Sequence, residues 1–419
     1  DVQRYGTTTI TLSGAKAVAG NVFFIQPQVV SILPAQGSVG TVVTVAGTGY
    51  AAGDAVNVVF GTNSSIKQTA ASSNGSFSTT FTIDVQRYGT TSITASGTTA
   101  VAGNVFFIQP QVTGVQPVNG TVGTVITISG TGYTSSGSIT IGFGTSSSIK
   151  QDVSGQYGSW TCVFTANAQS YGTCTITVTG ASLELAQNRF FVNGRIIGIY
   201  PTSGAIGLQI SLKGDGYQAG EIVSVGFGTK GILATTTVAA SGEFTAFFAV
   251  PNDSVGSKTV KAFGVATNTV LFTIKAGISD LSPNRGSVGT LVYIAGNGYG
   301  GNETIRIDLG QTMTITSVQT SADGTFSTTF TINTQSAGPT TIIAEGVTSQ
   351  STDMKTFTIL QHILNITPTS GTVGSMITLT ADGYGAGELI RIQLGTSPSV
   401  GWIVSSDKGT FTAIFSIDT

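Results

Sequence analysis

The sequence predicts an all-β chain of tandem β-sandwich domains arranged as a rod, with half a domain at each end. Three observations carry this prediction. Pro34-Ala35-Gln36-Gly37-Ser38-Val39-Gly40 recurs in related form from Pro117, Pro201, Pro283 and Pro368, at intervals of 83, 84, 82 and 85 residues. Inside each interval apolar and polar residues alternate with the period of a strand. Gly-rich turns separate these runs about every 8–12 residues, and no stretch sustains a helical period.

Taken in order, each repeat opens with the proline segment and then a half-buried strand. The apolar positions of that strand are Val43 and Val45, then Ile126 and Ile128, Ile210 and Leu212, Val292 and Ile294, and Ile377 and Leu379. A Gly-rich turn follows and ends in Tyr50, Tyr133, Tyr217, Tyr299 or Tyr384. A later strand starts at Phe77, Trp160, Phe244, Phe326 or Phe411. Its first copy sets Phe77, Phe81 and Ile83 on one face and Ser78, Thr80 and Thr82 on the other. About seven strands in about 83 residues make a small two-sheet sandwich. The last strand of one unit, Val105-Phe106-Phe107-Ile108, reaches Val112 of the next through Gln109-Pro110-Gln111. So short a connection leaves little room for swivel.

The run P-x-x-G-x-V-G-T-x-V-x-V-x-G-x-G-Y, which spans Pro34 to Tyr50, resembles the opening of IPT/TIG immunoglobulin-like domains. The resemblance covers the whole chain. It implies tandem immunoglobulin-like sandwiches of the kind common in archaeal and bacterial surface proteins. Such domains serve adhesion, signalling, enzyme-accessory and scaffold roles, so the likeness speaks to fold more than function. It also suggests a tyrosine corner at Tyr5, Tyr88 and Tyr171, although Val255 and Ala337 replace Tyr in two units.

Composition narrows the function. Of 419 residues 9% are charged and 40% are hydrophobic, with net charge −2 and 57 glycines. Abundant Val, Ile and Phe argue against disorder. With 17 Lys and Arg and no basic run, nucleic acid is not an expected partner. No apolar run reaches the length of a membrane-spanning helix. One His and two Cys offer little for catalysis, so no enzyme, cofactor or metal site is expected. His362 reads as structural. The glycines before the recurring Tyr lack a following Lys and helix, which rejects a phosphate loop. Asp215 with Glu221, and Asp382 with Glu388, read as solvated loop carboxylates rather than calcium ligands.

Residues 1–28 read as the last two strands of a domain. Residues 29–111, 112–195, 196–277 and 278–362 read as complete domains, and 363–419 as the first half of another. Asp1–Val29 repeats Asp84–Val112 with four differences, Thr9/Ser92, Leu12/Ala95, Ala15/Thr98 and Lys16/Thr99. The absence of an initiating Met suggests a mature product or a fragment. Two readings of the ends stay open. One is a slice of a longer tandem array. The other is head-to-tail homopolymerisation, in which the C-terminal half accepts the N-terminal strands of the next subunit. The expected assembly interface comprises Ile10, Leu12, Phe23 and Phe24 at one end and Phe411, Phe415 and Ile417 at the other.

Cys162 and Cys174 fall on inward phases of successive strands, which suggests a cross-sandwich disulfide and an oxidising, extracellular setting; two buried free thiols are the alternative. N-glycosylation sequons occur at Asn63, Asn74, Asn119, Asn252, Asn302 and Asn365, although Ser and Thr are common enough to create such triplets by chance. The combined expectation is a non-enzymatic, extracellular structural protein that forms a surface filament or sheath. The rival is the stalk or binding region of a larger surface adhesin or enzyme.

Overall fold

The structure is a computed structural model that describes residues 3–16 and 18–417. Among them there is no helix, and none long and apolar enough to cross a membrane. The chain falls into two compact units. One comprises residues 1–195, 215–221 and 238–243; the other comprises 196–214, 222–237 and 244–419.

The first unit begins with an antiparallel hairpin of β1 (Gly6–Ser13) and β2 (Val18–Ile25). The first complete sandwich follows: β3 (Gln28–Leu33), β4 (Gln36–Gly37), β5 (Val42–Thr48), β6 (Ala55–Phe60), β7 (Asn63–Ala70), β8 (Phe77–Thr82), β9 (Gly89–Ser96) and β10 (Val101–Ile108). One sheet has the order β3-β5-β8 and the other β4-β10-β9-β6-β7. The two-residue β4 runs parallel to β10, and the other pairs are antiparallel. The same two sheets recur within 111–192, 195–274 and 277–359.

Period-two patterning decides what the sheets enclose. Val43, Val45, Phe77 and Phe81 meet Val56, Val58, Phe60, Ile93, Ala95 and Phe106 in one apolar core. Ser78, Thr80 and Thr82 face outward. The Phe60 ring stands 5.4 Å from Phe81 and 5.9 Å from Phe106, which ties the two sheets together. Tyr50 is fully buried, and its hydroxyl donates to the Ala95 carbonyl at 2.9 Å. Burial pushes its pKa up to about 12, with Asp54 adding to the effect.

Three expectations need correction. Cys162 and Cys174 are free thiols. Cys162 lies opposite Ile128 in the three-stranded sheet and Cys174 opposite Phe190 in the other, and both belong to one apolar cluster. Burial pushes the Cys162 thiol up to about 11 and also raises Cys174. Neither is ionised near neutrality, so both behave as small apolar side chains. Asp215 and Asp382 are not solvated: both are buried. Asp215 accepts two bonds from Arg195, at 2.9 and 3.0 Å. Asp382 stands 3.9 Å from His362, and its pKa is raised by burial, with His362 pulling the other way.

The tyrosine corner is replaced by a main-chain device. The backbone N–H groups of Tyr5, Tyr88, Tyr171, Val255 and Ala337 donate to the carbonyls of Tyr50, Tyr133, Tyr217, Tyr299 and Tyr384, at 3.1, 3.0, 3.0, 2.9 and 2.8 Å. Each bond joins one repeat to the next. No tyrosine side chain takes part in these bonds, which explains why Val255 and Ala337 serve as well as Tyr. The Tyr88 and Tyr171 rings instead pack edge-on against Phe107 and Phe191 of their own repeat. A glycine makes the close approach possible. Gly324 has φ +73°, and a Cβ there would strike the Tyr299 carbonyl and stand 3.2 Å from the Ser254 Cα. Gly75 and Gly409 lie equally close to Arg4 and Ser336.

Candidate assembly interface

The last segment builds one sheet completely and the other in part. The strands His362–Thr367, Met376–Asp382 and Phe411–Ser416 reproduce β3-β5-β8. Leu389–Leu394, the counterpart of β6, pairs with Ser397–Val404, the counterpart of β7. In the complete repeat the other edge of β6 is covered by β9, which β10 flanks. Among the described residues no strand pairs with that edge of Leu389–Leu394. An unpaired sheet edge is a template for strand addition.

Exposure follows from this geometry. Leu394 is 38% exposed where Phe60 is fully buried, and Ile363 and Ile366 are 49% and 41% exposed where Val29 and Ile32 are buried. Phe415 and Ile417 are half-buried, whereas their counterparts Phe81 and Ile83 are buried. Phe411 differs from the expectation. It is already buried, with its ring 5.1 Å from Tyr384, so it supports the half-sandwich from within.

The β1–β2 hairpin shows the complementary surface. Ile10 and Leu12 are 52% and 73% exposed, while Ile93 and Ala95 in the matching positions of β9 are fully buried. Phe23 is exposed and its counterpart Phe106 is fully buried. Phe24 belongs to the opposite face: its ring packs edge-on against Tyr5 at 4.9 Å, as Phe107 packs against Tyr88. The core-facing residues at this end are therefore Ile10, Leu12 and Phe23.

The complete repeat supplies the register for a union of the two surfaces. Val58, Val59 and Phe60 of β6 stand opposite Ala95, Thr94 and Ile93 of β9. Transferred through the repeat, Ile392, Gln393 and Leu394 would stand opposite Leu12, Thr11 and Ile10. Leu394 takes the place of Phe60, and Leu12 takes the place of Ala95 diagonally across from it. The hairpin is larger next to the point where the half-sandwich is smaller.

Neither a known protein family nor a curated protein matches the chain. Among solved structures it is similar to an ICAM-5 D1–D4 ectodomain fragment, at 13% identity and TM-score 0.21, covering 80% of this chain and 100% of that one. It is also similar to invasin, a bacterial integrin-binding protein, at 11% identity and TM-score 0.22, covering 88% and 82%. A third is Bacteroides ovatus SGBP-B in complex with a mixed-linkage heptasaccharide, at 13% identity and TM-score 0.21, covering 74% and 92%. The strand order and repetition make this chain a tandem array of immunoglobulin-like β-sandwiches.

Proposed function

We propose that this is a non-enzymatic, extracellular structural protein of IPT/TIG-like repeats that forms a surface filament. The β1–β2 hairpin of one copy completes the open sandwich of residues 363–417 in the next. One observation carries the reading: the hairpin repeats, almost residue for residue, the two strands whose counterparts are not paired to Leu389–Leu394. A head-to-tail contact of this kind does not close on itself, so it propagates into a filament. Main-chain pairing gives affinity, and alternate side chains entering the core give specificity.

The test is a cross-link between copies. Thr11→Cys and Gln393→Cys in one chain should give a ladder of covalent multimers under mild oxidation, and either variant alone should not. The two native thiols are buried and do not compete. A monomer that never cross-links overturns the reading; such a result would follow if further residues of the same chain fill the edge.

Attached sugars belong to the same proposal, because a surface with so few charges gains hydration from them. Asn74, Asn119, Asn252, Asn302 and Asn365 are exposed. Asn63 is half-buried, and its amide is already committed to Asp84 at 3.0 Å. Mass spectrometry of native material should find glycan increments among the five exposed sites and none at Asn63. Unmodified peptides at all five would remove glycans from the proposal.

A further inference from the structure

A glutamine recurs just before the β9 position of three sandwiches. Gln86 and Gln169 are 3% and 4% exposed, and Gln335 is half-buried. Each closes over the turn between the β6 and β7 positions: Gly61-Thr62, Gly144-Thr145 and Gly310-Gln311. A Cβ on Gly61, Gly144 or Gly310 would collide with the glutamine Oε1. The carboxamide spans two segments of chain. Its Nε2 donates to the Phe143 carbonyl at 3.2 Å or the Leu309 carbonyl at 2.9 Å, and in the first repeat to Thr62 Oγ1 at 3.2 Å. It also donates to Asp84, Asn167 or Asn333 two residues earlier, at 2.9, 2.9 and 2.7 Å. Gln169 Oε1 accepts from the Thr145 N–H at 3.2 Å. In the third repeat Asp253 occupies the place and faces Gly228.

The half-sandwich has the same turn, Leu394-Gly395-Thr396, with Gly395 at φ +57° against +53° at Gly61 and +55° at Gly144. Nothing lies within 4 Å of where a Gly395 Cβ would stand. Gln3, the hairpin's counterpart of Gln86, is exposed.

We infer that Gln3 of the incoming hairpin seats its carboxamide on the Gly395-Thr396 turn and sets the register of the joint. The inference rests on the proposed strand exchange and adds a positioning residue to it. Such a residue is needed for a physical reason. Sliding a strand by two residues keeps every side chain on its own face, so apolar patterning alone discriminates weakly against that error. β1 is the tract Gly-Thr-Thr-Thr-Ile-Thr-Leu-Ser, whose outward Thr7, Thr9 and Thr11 are interchangeable under such a slide. A carboxamide bonded to one turn breaks that degeneracy.

The experiment reads register directly. With Gln393→Cys as the fixed partner, Thr11→Cys reports the aligned joint and Thr9→Cys the joint slipped by two residues. With Gln3 present, the aligned cross-link should exceed the slipped one by about fivefold or more, as expected for one or two net hydrogen bonds to the turn. Adding Gln3→Ala should bring the two yields close to parity while multimers still form. If Gln3→Ala leaves the aligned preference unchanged, the latch is wrong and strand exchange stands. If no pair cross-links even with Gln3 present, strand exchange fails and the latch fails with it.

Discussion

Leu12→Asp should leave a folded, soluble protein that forms no filaments. Leu12 is 73% exposed within its own chain, so the substitution costs the isolated subunit little. In the proposed joint it would face Ile392, which is buried in the half-sandwich. The change removes about 2 kcal/mol of apolar burial and forces a carboxylate against an apolar wall, costing at least a few kcal/mol more. A loss of about 4–5 kcal/mol weakens each junction by roughly three orders of magnitude. Thr11→Asp, one residue away on the outer face, should assemble nearly as well as the natural chain. Sedimentation and electron microscopy separate the outcomes, and removal of residues 1–28 should reproduce the Leu12→Asp result. Normal fibres from Leu12→Asp would show that the hairpin does not enter the core.

Glu303→Ala should weaken the fourth sandwich strongly at neutral pH and much less in acid. The Glu303 side chain accepts from the backbone N–H groups of Gly300, Thr348 and Ser349 and from the Ser349 hydroxyl, so one carboxylate ties two turns together. Burial alone would raise its pKa, but the bonds from Ser349, Gly300 and Thr348 outweigh burial and hold it below the usual carboxylate value. A folded value below the unfolded one means stability that is complete above the ordinary carboxylate range. That stability drains away as pH falls through the folded value. Alanine leaves these donors unpaired, at a cost of about 2–4 kcal/mol. On a sandwich of this size that corresponds to about 10 °C or more in the transition assigned to it. Calorimetry of the full chain at pH 7 and pH 3 should show the gap between natural and variant protein narrowing in acid. A gap that is equal at both values would mean the carboxylate charge is not what holds the turns. Glu184 is also held below the usual value, by bonds from Thr134 and Ser182 that overcome burial.

Much of the fold was legible because alternation is a local signal. Val43 and Val45, or Phe77 and Phe81, announce their buried face within a few residues of chain. The two-residue β4 was not legible, because Gln36-Gly37 carries no pattern and owes its pairing to Phe107 and Ile108 far along the chain. Asp215 and Asp382 looked like loop charges because their partners, Arg195 and His362, lie 20 residues away across a strand pair. At the candidate interface the repeat exposed Ile10, Leu12 and Phe415 to view. It misplaced Phe24 and Phe411, since adjacent phenylalanines have opposite faces and Phe411 packs on its own Tyr384. The Gln86, Gln169 and Gln335 column escaped notice because a buried polar residue between strands has no periodicity to advertise it.

The junction bond carries a consequence for ancestry. Donor and acceptor are both main-chain groups, so the bond itself asks only for a glycine such as Gly75, Gly324 or Gly409 at the close approach. A repeat that keeps that glycine can make this bond to any neighbour, while side-chain contacts such as Ser170 with the backbone of Tyr217 and Ala219, or Lys230 with Asp323 at 2.8 Å, differ from joint to joint. Copying, deleting or reordering units in the gene therefore preserves the main-chain bond and changes only such accessory contacts. The units can diverge in their side chains, as Cys162, Arg195 and His362 show, while keeping that bond in common. Length and surface can then vary under selection without loss of that bond.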